Sequence, residues 1–265
     1  MGRKLKVNKS TWSGIAIALC GIAFGLYLDG GQIRQMLQPT AALIVFGGTL
    51  GAVIVQFPFS VVVQAARQFT GSFNDGEDVV TQLIDDLMRY AARAHRSGLV
   101  SLDSELELIT HPFLRKALTL AIDGTRSEEL RKAMELEMDL ESDRENLISK
   151  VFEAAGGYAP TIGIIGAIIG LIQVMQRLQN INEVGQGIAV AFVATLYGVG
   201  SANIFFLPFA GRIKISMQKK QVLRELMLDG VVAIAEKATP RLLETKLAVY
   251  LNRQSVASGM TLVTK

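Results

Sequence analysis

Four uncharged, largely apolar runs interrupt an otherwise polar chain, at residues 10–28, 35–66, 154–176 and 184–211. Each is long enough to cross a bilayer as a helix, because ~20 apolar residues rising ~1.5 Å apiece cover the ~30 Å hydrocarbon core. The second is longer than a span requires. Gln38-Pro39 and Gln56-Phe57-Pro58 mark its ends and leave residues 40–55 plus flanks in lipid. Between the runs the pattern becomes periodic. Val79, Val80, Leu83, Ile84, Leu87, Met88, Ala91 and Ala92 recur at helical spacing, with Asp75 or Asp78 placed to cap the start and Gly98 to end it. Leu102, Leu106 and Ile109 predict a short helix stopped before Pro112; Phe113, Leu114, Ala117, Leu118 and Ala121 predict a third, ending near Gly124.

Ser127-Glu128-Glu129-Leu130 opens a long segment with Leu130, Met134 and Met138 on one stripe, expected to run with few breaks into the third span. After the fourth span, residues 222–237 predict one more amphipathic helix, broken at Ala238-Thr239-Pro240. A last helical piece follows at 242–251, and the final dozen residues read as frayed. No alternating strand pattern of useful length occurs. The expected fold is an all-α integral membrane protein with four transmembrane helices, a large helical cytoplasmic domain between spans two and three, and a cytoplasmic C-terminal helical tail. Its parts are 1–66 (N-terminal tail and spans 1–2), 67–153 (cytoplasmic domain), 154–211 (the hairpin of spans 3 and 4) and 212–265 (basic tail).

Composition agrees: half of the 265 residues are hydrophobic, which points to a membrane protein rather than a large soluble domain. The net charge of +3 matters only once mapped. Residues 67–153 hold 18 acidic and 11 basic side chains, whereas residues 212–265 hold 10 basic and 4 acidic ones. Arg3, Lys4, Lys6 and Lys9 precede the first span with no acid among them. The two short connectors, 29–34 and 177–183, carry two charges each. The positive-inside bias then places both termini and the middle block in the cytoplasm. Arg212, Lys214, Lys219, Lys220 and Arg224 form a solvated, lipid-facing collar under the fourth span. The start resembles a signal peptide, but the long uncharged run and the poor cleavage site at 29–31 favour a retained anchor. Cys20, the single cysteine, is read as a buried, inert thiol.

Enzyme chemistry finds no support. There is no GxxxxGK[ST] phosphate loop, no HExxH, no GxSxG elbow and no EF-hand spacing among the acids at 135–145. His95 and His111 read as surface histidines. No cofactor, no metal and no nucleic-acid partner are expected. A further absence bears on function: none of the four apolar runs contains Asp, Glu, Lys, Arg or His. Moving a proton through hydrocarbon normally needs a titratable group there. Either the chain conducts nothing, or a partner supplies the acid.

The spans are rich in small residues. Gly21-x3-Gly25, Gly47-x3-Gly51, Gly166-x3-Gly170 and Ala194-x3-Gly198-x3-Ala202 each put small side chains on one helix face, the arrangement that lets helix backbones approach in lipid. Packing within one chain accounts for most of them. Four such spans nevertheless suggest more contact than one chain satisfies, so oligomerisation is expected. In the last hairpin Pro160 and Pro208 both fall near the cytoplasmic side, Pro208 favouring a bend. Thr195 lies near mid-bilayer, with Ala167 at similar depth in the neighbouring span; a bond from Thr195 to its own Ala191 carbonyl is at least as apt as an ion-path role.

The motif Ala154-Ala155-Gly156-Gly157-Tyr158-Ala159-Pro160-Thr161-Ile162-Gly163-Ile164-Ile165-Gly166-Ala167 resembles the third-span signature of the MotA/PomA flagellar stator subunits. Gly185-Gln186-Gly187-Ile188-Ala189-Val190-Ala191-Phe192-Val193-Ala194-Thr195-Leu196-Tyr197-Gly198 resembles the fourth-span signature, followed by Ala202-Asn203 and Pro208. The resemblance covers nearly the whole chain. It implies a homo-oligomeric ring, a pentamer, in the bacterial inner membrane. The ring would surround the single membrane helices of a MotB-type partner that carries the ion-binding aspartate, and would act on the flagellar rotor switch complex. It places Thr195, Ala167, Thr161 and Tyr197 along the ion path and assigns conformational coupling to Pro160 and Pro208.

Residues 93–103 resemble the family's rotor-facing charged stretch. There the family commonly has an arginine three residues before the glycine and a glutamate five after it; this chain has His95 and Asp103. Arg93 or Arg96 takes the place of the arginine, and Glu105 completes the candidate set. Sodium-driven relatives tend to carry threonine at the position matching Ala167, so alanine there removes a hard oxygen ligand and points to protons as the transported ion. Two other readings stand beside the stator. An ExbB/TolQ-type energiser of envelope transport usually has three spans. A non-conducting oligomeric scaffold would tolerate loss of Thr195 and of Pro160.

Overall fold

The computed structural model describes residues 9–31, 36–69, 78–176, 178–179 and 181–257. Helix α1 is Lys9–Leu28, α2 is Pro39–Gln56 with a π-turn at Leu43–Gly47, and α3 is Phe59–Phe69. Then come α4 (Asp78–Ser97), a 3-10 segment (Leu99–Leu108), α5 (Pro112–Ile122) and the 50-residue α6 (Ser127–Gln176). The chain closes with α7 (Ile181–Ser201), a π-turn (Ala202–Phe206), α8 (Leu207–Ala235) and α9 (Pro240–Ala257). No strand occurs among the described residues. Stretches within Pro39–Gln56, Ser127–Gln176 and Val184–Ala235 are long and apolar enough to cross a membrane, and Trp12–Leu28 is a shorter apolar helix. Asp75, Arg3, Lys4, Lys6, the end of the tail beyond residue 257 and the side chain of Asp78 lie outside the described structure.

The chain forms two compact units, Met1–Asn74 with Glu145–Ile215, and Asp75–Arg144 with Ser216–Lys265. The four sequence segments are thus gathered in pairs, and the division falls inside α6 and α8. The second unit has a conventional helical core. Leu87, Leu102, Leu118, Leu130, Met134, Leu226, Met227, Leu243 and Leu247 are all essentially inaccessible, each side chain worth roughly 1.5–3 kcal/mol of burial. Leu130, Met134 and Met138 are buried together, as their spacing predicts. Val79 departs from its stripe and is exposed, while Val80 is buried.

Four expectations change. Residues 99–108 wind as a 3-10 segment rather than an α-helix. Ser101 Oγ donates to the Gly98 carbonyl at 2.7 Å, an i→i−3 bond suited to the tighter winding. The tail helix expected at 222–237 is no separate element: α8 runs unbroken from Leu207 to Ala235. Gly211 alone does not stop it, since one interior glycine costs only about 1 kcal/mol and Phe209 packs beside it against Phe152, ring centroids 4.8 Å apart and tilted by 60°. Cys20 is exposed, because α1 turns most of its side chains outward. The basic collar is partly neutralised, with Lys214 paired to Glu153 and Arg224 3.6 Å from Glu141.

Candidate functional site: the α6–α7 hairpin

Glycines and alanines at helical spacing on α6 and α7 bring the two backbones together. A methyl added to Gly163 would lie 2.9 Å from the Ala194 carbonyl oxygen, and one added to Gly170 would lie 3.0 Å from the Gly187 carbonyl oxygen. Gly187 meets Val174 in turn, and Gly166 meets the Ala194 methyl at 2.8 Å. Small residues at 163, 166 and 170 on one helix thus close on 187, 191, 194 and 198 of the other. Helix α2 seats against the same pair: Gly48 faces Ile162, Gly166 faces Ile44, and Ala41 and Val45 pack with Val193 and Ala194. The Gly21 and Gly25 face of α1 and the Gly47 and Gly51 face of α2 meet nothing within 4 Å. Those two small-residue faces are unfilled among the described residues.

Gly166 and Ala194 stand opposite each other in this antiparallel pair, so Ala167 and Thr195 fall on either side of that level, ~3 Å apart along the axis. Thr195 is half-buried and its hydroxyl donates to the Ala191 carbonyl at 3.2 Å, the intrahelical bond of a membrane threonine. Thr161 is exposed and donates to the Tyr158 carbonyl at 2.8 Å. The Tyr197 hydroxyl is engaged elsewhere: it donates to the Met36 carbonyl at 2.5 Å and accepts the Gln38 N–H at 3.3 Å, while its ring stacks on Phe46. Tyr197 ties α7 to the start of α2. Pro160 lies inside the unbroken α6. Pro208, exposed, follows the π-turn Ala202–Phe206, whose widened register leaves room for a residue without an N–H.

Three features escaped sequence reasoning. The π-turns carry no sequence signal beyond Pro208 itself. The Tyr158 hydroxyl donates to Gln56 Oε1 at 2.8 Å across 102 positions, a pairing no local pattern announces. Thr49 is buried with a hydroxyl that has no hydrogen-bond partner among the described residues.

The four charges proposed to face outward divide into two kinds. Arg93 pairs with Glu105 and reaches Ser104 Oγ at 3.3 Å, so these two staple α4 to the 3-10 segment. Arg96 is exposed and its Nε donates to the carbonyl of Ala92 in its own helix, while Asp103 is exposed with no ion pair among the described residues. Gly98, between them, has φ +83° and ψ 162°, a conformation that sets the direction of Asp103 relative to α4 and suits glycine alone.

Comparison with known proteins places this geometry. The signature of the MotA/TolQ/ExbB proton channel family matches residues 105–226, and that of the motility protein A N-terminal region matches residues 12–97. The chain is 33% identical to motility protein A of Bacillus subtilis over 246 residues, covering 92% of this chain and 91% of that one. It superposes on the flagellar MotAB stator complex from Bacillus subtilis with a TM-score of 0.84 at 33% identity, covering 94% of this chain and 99% of that one. It superposes on C. jejuni MotAB with a TM-score of 0.85 at 27% identity, covering 92% and 96%. The chain belongs to the MotA/TolQ/ExbB proton channel family.

Proposed function

We propose that this chain is a stator subunit of the bacterial flagellar motor, which together with a MotB-type single-span partner forms an ion path and converts ion flow into torque on the rotor. The observation that carries this reading is the α6–α7 hairpin. It is a close-packed pair of helices whose apolar runs, 154–176 and 184–211, bear hydroxyl groups but no acid, on a fold that matches MotAB complexes over nearly its whole length. A path wall without a titrating group needs a partner that brings one. In this reading the partner's membrane helix carries the aspartate, copies of this chain form a ring (five by resemblance) around it, and the transported ion is the proton.

Helix α1 is the first of four spans, both termini and the Asp75–Arg144 stretch are cytoplasmic, and the assembly sits in the inner membrane. The unfilled glycine faces of α1 and α2 support contacts between copies. One charge falling through ~100 mV yields only ~2.3 kcal/mol, so work accumulates from many small steps. Pro160 and Pro208 are the coupling points, and the continuity of α6 supports its role in carrying displacement. Arg96 and Asp103 meet the rotor switch complex through weak, screened, reversible contacts, and the remaining basic side chains of the tail face anionic lipid headgroups.

The test is co-expression with a single-span neighbour bearing a membrane aspartate. The expected result is co-purification and a proton leak that disappears when the partner's aspartate becomes asparagine. Failure to associate, or a leak indifferent to that aspartate, removes the stator reading. Flux that collapses on sodium removal, but persists with a protonophore, removes the proton.

A further inference from the structure

In the unit formed by Asp75–Arg144 and Ser216–Lys265, two helix faces are apolar where the fold has no use for it. On α6, Leu136 and Leu140 are 60% and 56% exposed, and on α9, Leu242 and Val249 are 50% and 61% exposed. Neither pair joins the core, which takes Leu130, Met134 and Met138 from α6 and Leu243 and Leu247 from α9. Each exposed pair belongs to an i, i+3, i+4, i+7 face: Leu136, Asp139, Leu140 and Asp143 on α6, and Leu242, Thr245, Lys246 and Val249 on α9, all exposed. The charges are opposite. The α6 face carries Asp139 and Asp143 with Lys132 one turn before Leu136, and Glu135 beside it. The α9 face carries Lys246 with Arg241 at its edge. Asp139 and Glu135 also line a cavity of about 400 Å³ together with Arg131, Glu225 and Asp229, so acids outnumber bases on the side of α6 next to Leu136.

A helix face that is both apolar and charged, left open in a water-facing unit, marks a docking surface. Two such faces of opposite sign on one chain fit a head-to-tail contact, the kind that closes into a ring. We infer that α9 of one copy docks by its Leu242–Lys246–Val249 face onto the Leu136–Asp139–Leu140–Asp143 face of α6 in the next copy, so that the cytoplasmic units form their own seam around the ring. The apolar side chains supply the attraction, and the aspartate–lysine pairing selects which face meets which. The seam rests on the assembly of copies proposed above.

The test uses two differently tagged full-length chains, both Cys20→Ser, co-expressed with the partner subunit. One carries Leu136→Cys or Leu140→Cys and the other Leu242→Cys or Val249→Cys, so a disulfide or short bis-maleimide link between tags must join two copies. All four positions are exposed, and folding is checked by the native mass of the assembly. A mixed-tag link in at least one pairing supports the seam. Asp143→Lys should cut its yield at least fivefold, and Lys246→Glu in the other chain should recover most of it. Rings of normal mass without any mixed-tag link, or with a link indifferent to the charge swap, overturn the seam and leave the stator reading standing. Chains that never assemble overturn the ring itself.

Discussion

Gly163 and Gly198 face each other across the α6–α7 hairpin with no side chain between them. A methyl on Gly198 would stand 3.1 Å from the Cα of Gly163, and one on Gly163 would stand 3.2 Å from the Cα of Gly198. Both distances are tight, and the same methyls would stand only 2.4 Å from the Ala159 carbonyl oxygen and 2.9 Å from the Ala194 carbonyl oxygen. The opposing atoms are backbone, which has no rotamer to yield. Gly198→Ala or Gly163→Ala must therefore push the helices apart, at about 1–3 kcal/mol by the usual cost of overpacking. Gly200→Ala, whose methyl meets nothing within 4 Å in the chain, is the control. Melting in detergent should drop for the first two and hold for the third, and swimming should follow. A Gly198→Ala protein that melts and swims as the parent does would show that the hairpin is looser than this contact requires.

The charges around Gly98 differ in what they are free to do. Arg96→Glu and Asp103→Lys should each reduce motor torque while leaving the melting temperature unchanged, because neither side chain holds another element in place. Arg93→Glu should instead lower stability by up to about 1 kcal/mol, as a partly exposed ion pair allows, and Glu105→Arg in the same chain should restore it. Rotation speed of tethered cells and thermal melts separate the two groups. Torque lost through Arg93→Glu, recovered by the double swap, and untouched by Arg96→Glu would reverse the assignment.

His111 stands at the start of α5, where partial desolvation, and then the nearby positive charge of Arg224, hold its pKa below the ordinary histidine value. The unfolded chain therefore takes up this proton more readily than the folded one. Stability is full above about pH 6.5, the unfolded value, and falls as pH drops through that point toward the lowered folded value, below which the loss stops. Melting between pH 7.5 and 5.5 should show this decline, and His111→Gln should flatten part of it. An unchanged slope in the variant would mean that other groups carry the acid sensitivity.

Thr49 offers a cheaper change. Its hydroxyl is buried in α2 without a partner among the described residues, so it carries a desolvation cost with no compensating bond there. Thr49→Val keeps the shape and should raise stability by about 1 kcal/mol or leave it unchanged. A marked loss on melting would reveal a partner for this hydroxyl in the assembled complex.

How far the sequence reached depends on how local each feature is. The glycine faces at 163, 166, 170 and 198, the long α6 and the stripe through Leu130 and Met134 are periodic, and periodicity is what a sequence displays. The fusion of the fourth span with the tail helix was hidden because Gly211 looks like a stop and the helix merely passes through it. The split between Arg93–Glu105 and Arg96–Asp103 was equally hidden. It depends on Gly98 folding the 3-10 segment back so that residues 12 positions apart meet. Tyr197, named for the ion path, also fastens α7 to residues 36 and 38, some 160 positions earlier, where no spacing rule reaches.

Asp229 on α8 joins three helices of its unit: it accepts Arg131 Nη2 from α6 at 2.8 Å on one oxygen and the Tyr250 hydroxyl from α9 at 2.5 Å on the other. The hydrogen bond that Arg131 donates to Asp229, more than any other contact, raises the Arg131 pKa above its ordinary value, so the guanidinium stays charged throughout the accessible range. Leu243 and Leu247 bury α9 in the core, and the Tyr250 bond adds a polar tie between α9 and the rest of the unit. Asp229→Asn removes the charge from both bonds and should cost about 1–2 kcal/mol, the lower part of the range for charged hydrogen bonds because the pair is a third or more exposed. Tyr250→Phe removes only one bond and should cost about 1 kcal/mol or less. The expected readout is trypsin cleavage after Lys237, in the break before α9, accelerated several-fold by Asp229→Asn and less by Tyr250→Phe. Equal digestion of all three proteins would assign the anchoring of α9 to its two leucines alone.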